Sequence, residues 1–161
     1  MSTELSLVQN GDTGLTLTLN AAEGTLEIGI SDADGRMLYG STIDAPSRGA
    51  EILTPAIESA FSLLGRNITE ISRIAVVRGP GSFTGLRLVT TTAAGLARAV
   101  GARQTGLNFM DCLANQCLPY LTAVERDAQL WILARARRDL VYIKSYSYNK
   151  GEQHPFRALT K

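Results

Sequence analysis

The chain has 161 residues, 45% of them hydrophobic, which is enough for one buried core and part of a second. Its 16 Lys+Arg and 15 Asp+Glu leave a formal net charge of +1, so no global field draws it to nucleic acid or to a membrane. No apolar run approaches the ~20 residues of a membrane span, and no basic segment leads into an apolar one at the start, so neither a membrane span nor an export signal is expected.

Residues 1–13 are polar and aperiodic and read as a loose extension. Leu15-Thr16-Leu17-Thr18-Leu19 alternates strictly, which predicts a strand. Asn20 to Gly24 is a turn, and Thr25 to Ile30 alternates again. Asp32-Ala33-Asp34-Gly35 is a second tight turn, and Met37 to Ile43 reads as a third strand, so the chain opens as a meander. From Ala50 to Leu64 the apolar residues Ile52, Leu53, Ala56, Ile57, Ala60, Phe61 and Leu64 recur at helical spacing. Pro55 lies inside that pattern and predicts that the helix starts or kinks there. Arg73 to Val77 is a fourth strand. After a glycine-rich loop, Leu86, Val89, Ala93, Leu96, Ala97 and Val100 form a second helical stripe, and Gly101 ends it. Its other faces carry small residues, among them Thr91, Ala94 and Gly95. Gln104 to Leu107 is a short fifth strand, and Asn108 to Leu118 a helix capped by Asn108 or Asp111.

Strands and helices in the order βββαβαβ predict an α/β fold, an RNase H-like lobe with a mixed five-stranded sheet over residues 14–118. Residues 119–161 read as a connector, Pro119 to Asp127, followed by a partial second lobe. Its hairpin pairs Leu130–Ala134 with Leu140–Ile143 around a tip at Arg135–Asp139. Cys112 and Cys117 are five apart in a helix, where neighbours on one face are three or four apart. They are expected to be buried reduced thiols rather than a disulfide or a zinc pair, which fits the cytoplasm.

The loop Gly79-Pro80-Gly81-Ser82-Phe83-Thr84-Gly85-Leu86-Arg87 carries the most information. It follows a strand, where open α/β sheets place ligands. A Walker loop needs glycines five apart followed by lysine, but Thr84 stands five after Gly79 and there is no lysine. The dinucleotide fingerprint fails because the third glycine comes one residue late. Ser82 superficially matches a nucleophile elbow, but Gly85 is one residue too far, and His154 is the chain's one histidine. Two readings stay open. The loop is an anion nest, with Gly79, Gly81, Ser82, Thr84, Gly85 and Arg87 as candidate contacts, or it is a stiff turn packed against a partner. Asp32 and Asp34 could share a cation or simply close their turn. Arg135, Arg137 and Arg138 are candidate contacts for RNA or an acidic partner, or a solvated tip. No catalytic residue, metal site or cofactor is expected.

The ten residues Arg78 to Arg87 resemble the signature of the TsaB family, also called YeaZ, the tRNA threonylcarbamoyladenosine biosynthesis proteins often labelled glycoprotease-like. Softer similarity extends over Arg48–Pro55, Ile71–Val76, Thr91–Ala97 and Ala136–Tyr142, so the likeness covers residues 15–148. The resemblance implies an actin-like ATPase (ASKHA) fold of two RNase H-like lobes. It implies a non-catalytic, cytoplasmic scaffold for the catalytic paralogue TsaD, with the ATPase TsaE joining them and tRNA contacted only indirectly. It implies that residues 50–65 and 84–100 form the surface used for a homodimer or for TsaD. Ile52, Ala56, Ala60, Leu86, Val89, Ala93, Leu96 and Ala97 are the interface residues expected there.

Three positions depart from the family's pattern. Leu19-Asn20 stands where the first strand usually ends in Asp-Thr, Gly49 where a histidine is usual, and Arg135 where an Asp often precedes Ala-Arg-Arg. The chain also stops before the usual end of the second lobe, so either a reduced or divergent member or an incomplete second lobe is expected. Two alternatives are an ASKHA-type nucleotide-binding phosphotransferase or ATPase, and a glycoprotease-like peptidase.

Overall fold

A computed structural model describes residues 14–45, 47–121, 127–137, 140–149 and 156–158. Strand β1 (Leu15–Asn20) buries Leu15, Leu17 and Leu19 completely and leaves Thr16 and Thr18 half-buried, as alternation requires. Strand β2 (Thr25–Ser31) repeats this with Leu26, Ile28 and Ile30. It pairs antiparallel with β1 and with β3 (Met37–Asp44). Strands β4 (Ile71–Val77) and β5 (Arg103–Leu107) then add in parallel beside β1, giving the order β3-β2-β1-β4-β5. This is the mixed five-stranded sheet the sequence predicts.

Helices α1 (Gly49–Leu63) and α2 (Phe83–Val100) cover the leucine side of that sheet. Helix α1 begins at Gly49, not near Pro55, and carries the proline within it on its exposed side. Gly49 has a packing reason: a Cβ there would stand 3.0 Å from Leu88 Cδ2, so glycine lets the two helices approach. Gly101 adopts the left-handed conformation (φ 73°) and its N–H returns to the Ala97 carbonyl, which terminates α2.

The apolar stripes of both helices are core rather than surface. Ala60, Val89, Ala93 and Ala97 are buried. Ile52, Ala56 and Leu96 are half-buried against the same core, and Leu86 against a second one. The expected interface residues therefore lie on the sheet-facing side of their helices. Period 3.6 identifies a face that wants cover, and the sheet supplies that cover first.

Helix α3 (Phe109–Leu121) starts where Asn108 Oδ1 accepts the N–H groups of Met110 (2.9 Å) and Asp111 (3.3 Å). It runs past Leu118 through Pro119, so the first residues of the expected connector are helical; residues 122–126 lie outside the described ones. Strands β6 (Ala128–Arg137) and β7 (Leu140–Tyr148) form an antiparallel hairpin longer than predicted, with β8 (Phe156–Ala158) antiparallel on β7. Arg135 and Arg137 belong to the ladder, opposite Val141 and Leu140, instead of to the tip. Ile132, Ala134 and Tyr146 pack with Phe109, Met110 and Ala114 of α3, with Ala22 of the β1–β2 turn and with Val77 of β4. The other side of the hairpin exposes Trp131, Leu133, Val141 and Ile143.

Asp111 fastens α3 to β7. Its Oδ1 accepts both Lys144 Nζ and Tyr146 Oη, each at 2.6 Å. Burial, and then the bond to Asp111, push the Tyr146 hydroxyl well above the usual phenol range. Cys112 and Cys117 are free but half-buried rather than buried, and burial pushes the Cys112 thiol up, with the Asp111 charge adding to it. Because the fold holds Tyr146 in its protonated form, the unfolded chain releases that proton first as pH rises. Stability is therefore expected to be intact below about pH 10 and to fall above it, where a free tyrosine ionises. Urea denaturation between neutral and strongly alkaline pH should show a smaller loss in Tyr146→Phe than in the wild type.

Candidate functional site

The glycine loop joins β4 to α2 at the carboxyl end of the parallel strands, and it is clamped from two sides. On one side the Gly79 carbonyl accepts Phe109 N–H (2.7 Å), and Arg78 N–H donates to the Leu107 carbonyl (2.8 Å). These bonds tie the loop to the joint between β5 and α3. On the other side Ser82 N–H donates to the Ala22 carbonyl (2.7 Å), in the turn between β1 and β2. Gly81 (φ 157°) sits so close to that turn that an added Cβ would lie 2.5 Å from the Ala22 oxygen. At Gly85 an added Cβ would run into the Ala21 carbonyl oxygen. Both glycines are thus required by the chain's own backbone.

Ser82 begins α2 as its N-cap. Its hydroxyl accepts Gly85 N–H (3.3 Å), and its carbonyl accepts Leu86 N–H (2.9 Å). The elbow-like serine is a helix cap. Asn20 is buried and committed at both ends. Its Nδ2 donates to Glu27 Oε2 (2.9 Å) and its Oδ1 accepts Ala22 N–H (2.9 Å). Asn20 therefore shapes the turn whose carbonyl receives the loop.

A cavity of about 800 Å³ opens beside the loop, between α2 and β5. Arg78, Arg87, Phe83, Leu86, Asn108 and Tyr142 contribute to its wall. Of the six candidate anion contacts, Gly79, Gly81 and Arg87 line it, whereas Ser82, Thr84 and Gly85 do not. Ser82 lines a smaller cavity of about 340 Å³ with Glu23, Gly24 and Arg135. Arg135 is exposed there; the side chain of Arg137, and Arg138 altogether, lie outside the described residues. His154 lies outside them too. Asp32 is a turn residue, its Oδ1 accepting the N–H groups of Asp34 (3.2 Å) and Arg36 (2.8 Å). Among the described residues no three His, Cys, Asp or Glu side chains gather as a metal site would need.

Sequence reasoning missed Phe83, Asn108, Tyr142 and the part played by Arg78. One signal was available. Gly106 interrupts a short strand, and an added Cβ there would run into Arg78 Cδ, so the glycine makes room for the arginine stem to cross β5.

Among solved structures the fold is similar to YeaZ from Pseudomonas aeruginosa, with a TM-score of 0.73 and 23% identity over 92% of this chain and 65% of that one. This is the α/β architecture of the actin-like ATPase (ASKHA) class. The family described as "TsaD: tRNA N6-adenosine threonylcarbamoyltransferase" matches residues 44–155, well over half of the chain. The chain belongs to that family, as a divergent member of TsaB/YeaZ type.

An uncharacterized protein of Mycobacterium tuberculosis (strain ATCC 25618 / H37Rv) is 26% identical over 131 residues, which is 81% of this chain and 58% of that protein. The tRNA threonylcarbamoyladenosine biosynthesis protein TsaB of Bacillus subtilis (strain 168) is 29% identical over 97 residues, 60% of this chain and 40% of that protein. The chain thus spans little more than half the length of the mycobacterial relative, and less of the TsaB protein.

Two substitutions check the clamp. Gly81→Ala drives a methyl group into the Ala22 carbonyl and is expected to cost roughly 2–4 kcal/mol in urea denaturation. Gly95→Ala, where an added Cβ meets nothing within 4 Å, should instead stabilise by about 0.5–1 kcal/mol. Asn20→Asp would set a carboxylate against Glu27, and should lower stability at neutral pH and recover it in acid.

Proposed function

We propose that this protein is a non-catalytic, cytoplasmic partner in the formation of tRNA threonylcarbamoyladenosine. It docks on the catalytic paralogue TsaD, or on a second copy of itself, through the outward faces of α1 and α2, and TsaE joins the assembled complex. The observation that carries this reading is the character of those faces. The two helices lie side by side on the sheet, and the outer side of α2 carries the small exposed residues Ala94, Gly95 and Ala99, with Arg98 exposed among them. Space is open above Gly95. A facing helix can approach such a surface closely. Helix α1 exposes Thr54, Glu58 and Leu63.

Family membership supplies the pathway. The Escherichia coli and Bacillus subtilis relatives are named for tRNA threonylcarbamoyladenosine biosynthesis. The scaffold role draws support from what the polar groups do. The Ser82 hydroxyl is used as a cap, and both ends of Asn20 are used to build a turn. The apolar stripe first expected to make the interface is replaced in this proposal by the exposed residues one position away.

The test is association of the full chain with TsaD of the same organism by pull-down, and self-association by light scattering. Ala94→Arg is expected to weaken binding by at least about tenfold, as an unpaired charge set into a close helix contact would, without lowering the melting temperature. Ala93→Asp, in contrast, should unfold the protein, since Ala93 is fully buried. Unchanged association of a folded Ala94→Arg protein would exclude α2 as the docking surface.

A further inference from the structure

We infer that the cavity between α2 and β5 binds single-stranded RNA, holding a phosphodiester on Arg78 and Arg87 and laying a base against Phe83 and Tyr142. The cavity wall is cationic. Both arginines line it, both are exposed, and neither guanidinium makes an ion pair or hydrogen bond with any described residue. Among the described residues no carboxylate contributes to the wall. The Asn108 Oδ1 atom is occupied by the N–H groups of Met110 and Asp111, which leaves its amide nitrogen, a donor, for the cavity. Two unpaired guanidinium forks in one concave site suit a phosphate ester.

The rest of the wall says which ester. Phe83 is 77% exposed and Tyr142 42% exposed, yet both contribute to this one cavity. Exposed aromatic rings beside a cationic groove are how single strands are held, because every base has a face to stack. Gly106 adds a built feature, since it opens the berth in which the Arg78 stem crosses β5. Ala94, Gly95 and Ala99 of the proposed docking surface do not line the cavity. Leu88 faces α1 at Gly49, while Thr90, two residues and about 200° further round the helix, lines the cavity. The choice of RNA rests on the proposed role in tRNA modification; the demand for a phosphate ester does not.

Fluorescence anisotropy of a short fluorescein-labelled single-stranded oligoribonucleotide, titrated with the full chain, tests the assignment. Saturable binding is expected, weakened at least about tenfold by Arg78→Gln or Arg87→Gln and at least about fivefold by Phe83→Ala. Each arginine removed should also make the salt dependence shallower, by about 0.7 in log–log slope for every phosphate it no longer neutralises. Gly106→Ala keeps both arginines but removes the berth of Arg78, so it should weaken binding with the melting temperature unchanged. Arg98→Gln, on the same helix but outside the cavity, should leave affinity as it is. Absence of binding overturns the proposal, and so does an equal loss in Arg98→Gln and Arg78→Gln, which would mean diffuse charge. Displacement of the RNA by equimolar AMP or inorganic phosphate overturns it in favour of a small-anion site. Capture of TsaD without RNA binding sinks this inference and spares the docking proposal; RNA binding without capture of TsaD does the reverse.

Discussion

The hydrogen bond from Ser82 N–H to the Ala22 carbonyl fixes how the halves of the first sheet meet. Ala22 belongs to the turn of the antiparallel hairpin β1–β2, and Ser82 begins the helix that follows the parallel strand β4. At 2.7 Å the bond is short for an amide donor. It forms only because neither Gly81 nor Gly85 carries a side chain at the point of contact. Where α2 begins, and so which of its residues face the sheet, follows from this contact. The exposed face of α2 and the cavity on its flank inherit their positions in turn.

The same turn serves a second purpose. Ala21 packs in the core under α1 and α2, while Ala22 packs with α3 and the β6–β7 hairpin. Two adjacent alanines thus touch both clusters, and Asn20 sets the geometry of the pair. An aspartate would offer no amide donor to Glu27 at this position. The asparagine is a neutral group satisfied by two partners, the arrangement a buried polar side chain needs. A structural role for Asn20 is therefore sufficient to account for the residue.

Much of the fold was legible because local chemistry and tertiary packing agree. Leu15-Thr16-Leu17-Thr18-Leu19 reads as a strand with one buried side, and it is one. Gly101 and Asn108 read as a helix stop and a helix cap, and both act so. The site was less legible, for physical reasons. A glycine that accommodates an anion and a glycine that accommodates a carbonyl look identical in sequence, and here Gly81 and Gly85 meet the carbonyl side of Ala21 and Ala22. The stripe through Val89, Ala93 and Ala97 marks burial without saying against what. The arginines at 135 and 137 looked like a hairpin tip because strand ends are the least determined part of a pattern; the ladder continues past them. Arg78 and Tyr142 come together only through the pairing of β4 with β5 and the packing of α3 on the β6–β7 hairpin, contacts that span many residues of chain and leave no local trace.

Helix α2 therefore divides its surface three ways, and the division is what gives the fold something to do. One side is spent on the sheet, through Val89, Ala93 and Ala97. A second meets α1, where the missing side chain of Gly49 admits Leu88. The remaining arc carries Ala94, Gly95 and Ala99 with Arg98 toward its C-terminal half, and Arg87 with Phe83 toward its N-terminus. Small residues favour close contact with a rigid helix, whereas two guanidiniums beside exposed rings favour a flexible anion. One helix can meet both demands because they fall on different stretches of it. The stiffness of the clamped loop keeps the two surfaces in register with each other.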